Sequence, residues 1–134
     1  MSATRAWYLD SSAIVKLVLR EPHSAAMYRW EESREDRLVT SDLAEAEVLR
    51  AVRRVDPDLT ERARAILSTL DIVPLQRSHL ERAGTMLPSA LRTLDALHLS
   101  VALDLGPGLI GFVTYDERQA EAAREHAVTV TSPT

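Results

Sequence analysis

Cysteine is absent from the 134 residues, which excludes a disulfide framework and every thiolate metal site. Asparagine is absent too, and lysine occurs once, at Lys16; every other one of the 16 basic residues is arginine. A surface built to grip phosphate would produce that skew, because the guanidinium fork suits phosphate. Biased codon use in a GC-rich genome would produce it as well. No apolar run approaches the roughly 20 residues of a membrane helix, and the opening Met-Ser-Ala-Thr-Arg-Ala holds no apolar export core. The expectation is a cytoplasmic protein without membrane contact. Positive charge is also in deficit, and a net charge of -4 argues against a broad basic footprint for nucleic acid. It leaves room for a nuclease, because an acidic metal centre contributes negative charges that its own cation reverses locally.

What is present is an ordinary globular balance, 46% hydrophobic and 27% charged, in a length that buries one good core. Residues 1–134 are therefore read as one domain. Trp7-Tyr8-Leu9 suits a short buried strand, Leu38-Val39-Thr40 a second, Ile72-Val73-Pro74-Leu75 a third whose Pro74 suggests a sheet edge or an early end, Leu109 to Val113 a fourth, and Val128-Thr129-Val130 a last. Helical spacing fills the intervals. Ser11 to Leu19 is apolar nearly all round, and Ser24 is placed to cap a helix reaching about Arg34. The helix from Asp42 to Val55 opens on a capping-box pattern of Asp42 and Glu45. Others span Leu59 to Leu70, a segment from Ser78 with Leu80, Ala83 and Leu87 inward, Thr93 to Leu105, and Asp116 to His126. Such alternation means an α/β fold of three layers, a central parallel sheet of about five strands with helices on both faces.

Parallel strands exit on one rim, and in open sheets ligands bind beyond that rim. Asp10 follows the first strand and Asp116 the fourth, so the two approach each other if those strands are neighbours. Asp95 stands in the first turn of a helix that is otherwise almost wholly apolar, where burial makes a charge costly unless something neutralises it. Helix capping is the plainer account of Asp10 and of Asp95. On the Asp42 helix, at about 100° per residue, Glu45 and Glu47 fall on opposite borders of one apolar stripe. Periodicity does not choose between them. Converging carboxylates about 4 Å apart would repel by roughly 4 kcal/mol at an effective dielectric of about 20. A hard divalent cation relieves that. Oxygen ligands, with no cysteine and no histidine pair at ligand spacing, point to Mg²⁺ or Mn²⁺ rather than zinc.

Four segments carry a resemblance: Tyr8-Leu9-Asp10-Ser11-Ser12-Ala13-Ile14-Val15-Lys16-Leu17, Ala46-Glu47-Val48-Leu49-Arg50, Leu94-Asp95-Ala96-Leu97-His98-Leu99-Ser100-Val101-Ala102, and Val113-Thr114-Tyr115-Asp116 with Ala122-Ala123. In this order and nearly end to end, the chain resembles the PIN-domain ribonucleases, specifically VapC-type toxins. The resemblance implies a Mg²⁺- or Mn²⁺-dependent endoribonuclease whose acids are Asp10, Glu47, Asp95 and Asp116, with Asp10 and Asp95 the firmest metal ligands. It selects Glu47 over Glu45. Ser12 and Thr114 match small hydroxyl positions that orient carboxylates or water, local backbone bonding being their plainer role. An RNA substrate, a small VapB-like antitoxin whose tail blocks the cleft, and a homodimer are implied as well.

Two features depart from the family pattern. The turn before the last strand has His126 and Ala127 where such proteins usually have glycine, so backbone strain is expected there. The acidic total is the second, since several relatives carry a more basic surface. His23, His79 and His98 read as surface or packing residues. An aspartyl phosphatase would want an acid where Ser12 stands, and a phosphoacceptor domain disagrees at Leu75, Gln76 and Thr131. The remaining alternative is a catalytically weak PIN-fold scaffold that binds RNA or a partner.

Overall fold

The computed structural model describes residues 5–134. The expected lack of an export core rests largely on residues 1–4 and lies outside them. Among the described residues the elements run β1 (Ala6–Leu9), α1 (Ser11–Val18), α2 (Ser24–Glu32), β2 (Arg37–Ser41), α3 (Asp42–Val55), α4 (Thr60–Leu67), β3 (Asp71–Val73), α5 (Arg77–Thr85), α6 (Thr93–Asp104), β4 (Leu109–Val113), α7 (Glu117–Glu125) and β5 (Val130–Thr131). All paired strands are parallel, in the order β3-β2-β1-β4-β5. The chain therefore builds outward from β1 in one direction, then returns to add β4 and β5 on the other side. Reversal places a topological switch point between β1 and β4, where the crevice at the carboxyl ends opens.

Right-handed crossovers put helices from the two directions on opposite faces. Alternation along β1 matches: Leu9 joins Ile14, Met27, Val48, Val52 and Leu67 in one core, while Ala6 and Tyr8 join Leu99, Val101, Phe112 and Ala123 in the other. α6 is buried from Ala96 to Ala102, as its apolar composition requires. Pro74 does end β3, which is an edge strand.

Several local expectations change. Ser24 is not a cap: His23 precedes the helix at φ 72°, and the Ser24 hydroxyl donates to the Leu19 carbonyl and accepts from the Glu21 N–H. Asp42 does not close a capping box either. Its carboxylate accepts from the Leu75 N–H and ties α3 to the segment after β3. On α5, Leu80 is 52% exposed and Leu87, beyond its end, 69%, whereas His79 faces inward. His79 is held by the Gln76 N–H on Nδ1 and by Asp104 at Nε2, so polar bonds rather than the leucine stripe orient that helix. The glycine-free turn is strained as expected, with Ala127 at φ 61°.

Gly111 in β4 meets the Trp7 ring so closely that an added Cβ would lie 2.5 Å from Trp7 and 2.9 Å from the Thr129 carbonyl. The register between β1 and β4 shifts at this point, so Ile110 is an extra residue in the β4 strand. Gly111→Ala is predicted to destabilise the fold by about 1–3 kcal/mol through overpacking, seen as a lower denaturant midpoint at unchanged slope.

Candidate active site

The carboxyl end of β1 carries Asp10, 4% exposed, which caps α1 by accepting from the Ala13 N–H. Two hydroxyls complete its surroundings. Ser12 Oγ donates to Oδ1 and Thr114 Oγ1 to Oδ2, each at 2.6 Å, the range of charge-assisted bonds. Ser12 Oγ also accepts from the Tyr115 N–H and Thr114 Oγ1 from the Asp116 N–H, and the two hydroxyls stand 3.3 Å apart, so the much shorter contacts with the carboxylate are the ones that take their protons. Backbone bonding and carboxylate orientation, which the sequence sets against each other for Ser12 and Thr114, occur together. Burial nevertheless dominates and raises the Asp10 pKa above the ordinary carboxylate value, against the lowering effect of His98 and the two hydroxyls.

The other three acids sit around the same rim. Asp116 caps α7, accepting from the N–H groups of Arg118 and Gln119. Asp95 makes no capping bond, although it lies in the first turn of α6. It pairs instead with Arg92, whose Nε is 3.5 Å from Asp95 Oδ2 and whose second nitrogen is 3.3 Å from Asp116 Oδ2. One guanidinium thus spans both carboxylates. Gln119 on α7 donates to the Asp95 carbonyl at 2.9 Å and fixes the start of α6 against α7. Burial raises the Asp95 pKa, repulsion from Asp116 adds to this, and Arg92 opposes it.

The structure separates the two glutamates of α3. Glu45 is exposed, whereas Glu47 is partly buried and accepts from Ser11 Oγ at 2.6 Å. Its Oε1 also stands 2.5 Å from His98 Nε2. Desolvation would raise the Glu47 pKa, but His98 and Ser11 outweigh it and the net direction is down. The sequence marks His98 only as a surface or packing residue. Buried it is, yet its ring also joins Tyr8 to Glu47. Sequence reasoning misses Ser11 and Arg92 altogether: nothing in periodicity marks a serine beside a capping aspartate or an exposed arginine before a helix.

Contacts link the four acids in sequence. Arg92 joins Asp95 to Asp116, Thr114 joins Asp116 to Asp10, and Ser11, next to Asp10, reaches Glu47. They open onto different hollows, however. A cavity of about 600 Å³ is lined by Ser11, Ser12, Lys16, Glu47, Arg50 and Tyr115. Asp116 borders a smaller one shared with Lys16 and Tyr115, and Asp95 another beside Arg92. Among the described residues no three His, Cys, Asp or Glu side chains stand close enough to form a ready ligand cage. The donor set itself is all oxygen around a buried carboxylate whose charge needs compensation, which fits a hard divalent ion such as Mg²⁺ or Mn²⁺.

Fold and site together define an open parallel α/β protein with acidic residues at its switch-point crevice. Residues 7–125 match the family model of the PIN domain. Ribonuclease VapC46 of Mycobacterium tuberculosis is 44% identical over 126 residues, covering 94% of this chain and 96% of that protein, and ribonuclease VapC47 is 38% identical over 130 residues at the same coverage. Among solved structures, VapC20 of M. tuberculosis, described as a sarcin-ricin loop cleaving toxin, aligns with a TM-score of 0.78 at 16% identity, covering 95% of this chain and 99% of that one. VapBC2 of Rickettsia felis, bound to a promoter DNA fragment, aligns at 0.73 and 16% identity over 96% of this chain and 99% of that one. The chain belongs to the PIN-domain family, in the group of VapC ribonucleases.

Burial of Asp10 couples the stability of the fold to pH. Its folded-state pKa is raised, so the folded protein holds that proton more tightly than the unfolded chain, and stability is lost as pH climbs from the unfolded aspartate value through the raised one. Asp10→Asn removes the charge, keeps the size and is expected to unfold at higher temperature than the parent at pH 7 without divalent ions. A tenfold tighter hold on the proton corresponds to about 1.4 kcal/mol of stability. The difference should close as pH falls toward about 3.9, the unfolded aspartate value. Thermal melts at several pH values check this.

Proposed function

We propose that this chain is a Mg²⁺- or Mn²⁺-dependent endoribonuclease acting as the toxin of a VapBC-type pair. The observation that carries the reading is Asp10, a carboxylate buried at the carboxyl end of the central strand and held by a hydroxyl at 2.6 Å on each of its oxygens. Kinship with the VapC ribonucleases over nearly the whole chain supports it. Asp10, Glu47, Asp95 and Asp116 would hold the ion, with Arg92 giving way from between Asp95 and Asp116. Such an ion steadies charge on the phosphoryl group and makes water a competent nucleophile at neutral pH.

The remaining roles belong to the protein. Ser12 and Thr114 keep both oxygens of Asp10 in fixed directions, which spares the site reorganisation as charge develops. Arg50 and Arg54 line the same cavity as Glu47, with Lys16 paired to Glu21 beside them, and would meet the RNA backbone, where arginine forks pair with phosphate oxygens. That local positive charge answers the acidic total. The RNA-cleaving toxin and the toxin–antitoxin complexes among the structural neighbours support a small VapB-like antitoxin as partner, and exposed Leu80 and Leu87 offer apolar surface to a partner or a second copy in a homodimer. Work on RNA in the cytoplasm is part of the same proposal.

One observation favours a second reading, a PIN-fold scaffold that binds RNA or a partner without cutting: the four acids are linked but not drawn into one cage. Cleavage of structured RNAs with Mn²⁺ distinguishes the two. Asp10→Asn and Asp95→Asn are each expected to cut at least about 100-fold more slowly, the scale of losing one electrostatic stabiliser. Cleavage that persists in either variant discards the four-acid mechanism, and absence of cleavage by the parent under all metals favours the scaffold.

A further inference from the structure

Glu47 differs from its companions in how it is held. Asp10 and Asp116 are fixed by helix-capping N–H bonds, and Asp95 is short and paired with Arg92. Glu47 lies inside α3, where backbone donors are already used, and carries one more rotatable bond. Only side chains can aim it. Ser11 donates to Oε1, and His98 Nε2 stands at 2.5 Å from the same oxygen. Among the described residues, no hydrogen bond or ion pair engages Oε2, and Glu47 lines the cavity of about 600 Å³.

Behind His98 stands Tyr8, both essentially inaccessible to water. Tyr8 Oη is 2.7 Å from His98 Nδ1, the two rings meet edge to face at 5.8 Å, and Phe112 stacks on Tyr8 at 5.2 Å. A phenol has one proton, and Nδ1 is an acceptor within reach of it. If Nδ1 accepts, neutral imidazole must carry its hydrogen on Nε2. If the ring is an imidazolium, Nε2 carries a hydrogen as well. A ring protonated on Nδ1 alone would set a bare Nε2 lone pair against the Glu47 carboxylate, so the two contacts together direct Nε2–H at Glu47 Oε1.

We propose that His98 is the positioning residue for Glu47, its ring direction set by Tyr8, so that a buried Tyr8–His98–Glu47 relay anchors Oε1 and presents Oε2 to the crevice. It rests on the reading of Glu47 as a metal-binding acid. The relay runs from β1 through α6 to α3 and therefore joins both faces of the sheet at the site. Outer partners of this kind, which orient a ligand without touching the ion, typically change metal affinity by about 10- to 100-fold when removed.

Two measurements on the full chain test it. Long-range ¹H–¹⁵N spectra of the metal-free protein should show His98 with Nε2 protonated, and that proton resonance should move in Glu47→Gln and in Tyr8→Phe. Mn²⁺ titration by calorimetry without RNA should show about 10- to 100-fold weaker binding in His98→Leu. Most of the loss should return in His98→Gln, whose amide restores a donor near the Nε2 position, and circular dichroism checks that each variant is folded. A His98 ring with Nε2 unprotonated overturns the relay, as does parental Mn²⁺ affinity in folded His98→Leu or no recovery in folded His98→Gln. A parent that binds no Mn²⁺, while the His98 resonance still responds to Glu47→Gln, supports the relay and overturns the metal-dependent reading instead.

Discussion

A carboxylate sealed at the end of the central strand governs this molecule. Asp10 is only 4% exposed, and the cost of burying its charge is offset only in part by His98 and by the hydroxyl and amide bonds it accepts. Those bonds come from both sides of the switch point. Thr114 and the N–H groups of Tyr115 and Asp116 belong to the exit of β4, so the pairing of β1 with β4 is also what completes the environment of Asp10. A change that loosens this strand pair acts on fold and site at once. Gly111, where Trp7 leaves no room for a side chain, is one such point.

Around that centre the acids are arranged by distance from solvent. Asp10 is innermost, Glu47 and Asp95 are half-shielded, and Asp116 caps an exposed helix start. Burial raises the carboxyls of Asp10 and Asp95, while the His98 contact holds Glu47 down. Environments that push like groups in opposite directions are characteristic of functional sites. Arg92 balances the outer pair from the surface, and the histidine network balances Glu47 from the core.

Much of this is legible in the sequence because it depends on short-range chemistry. Apolar runs bounded by helices give a parallel sheet, Pro74 marks an edge, and Asp10 and Asp116 fall at strand exits whatever the strand order. Phase and partner choice are less legible. Leu80, Ala83 and Leu87 sit at plausible inward spacing, yet α5 turns so that His79 faces in, because the Gln76 N–H, Asp104 and the Ser100 hydroxyl all converge there. Asp42 bonds to Leu75, 33 positions away, rather than to its own helix. Glu45 and Glu47 are indistinguishable by period, and contacts with a serine 36 positions back and a histidine 51 positions further along separate them. Bonds that span the fold leave no trace in local pattern.

The most direct test of a metal centre built on Asp10 is a crystal structure grown with Mn²⁺ and measured for anomalous scattering. An ion is expected within about 2.1 Å of an Asp10 oxygen, with Asp95, Glu47 and Asp116 drawn in around it and Arg92 displaced outward. An ion bound away from Asp10, or none at millimolar Mn²⁺, would contradict it.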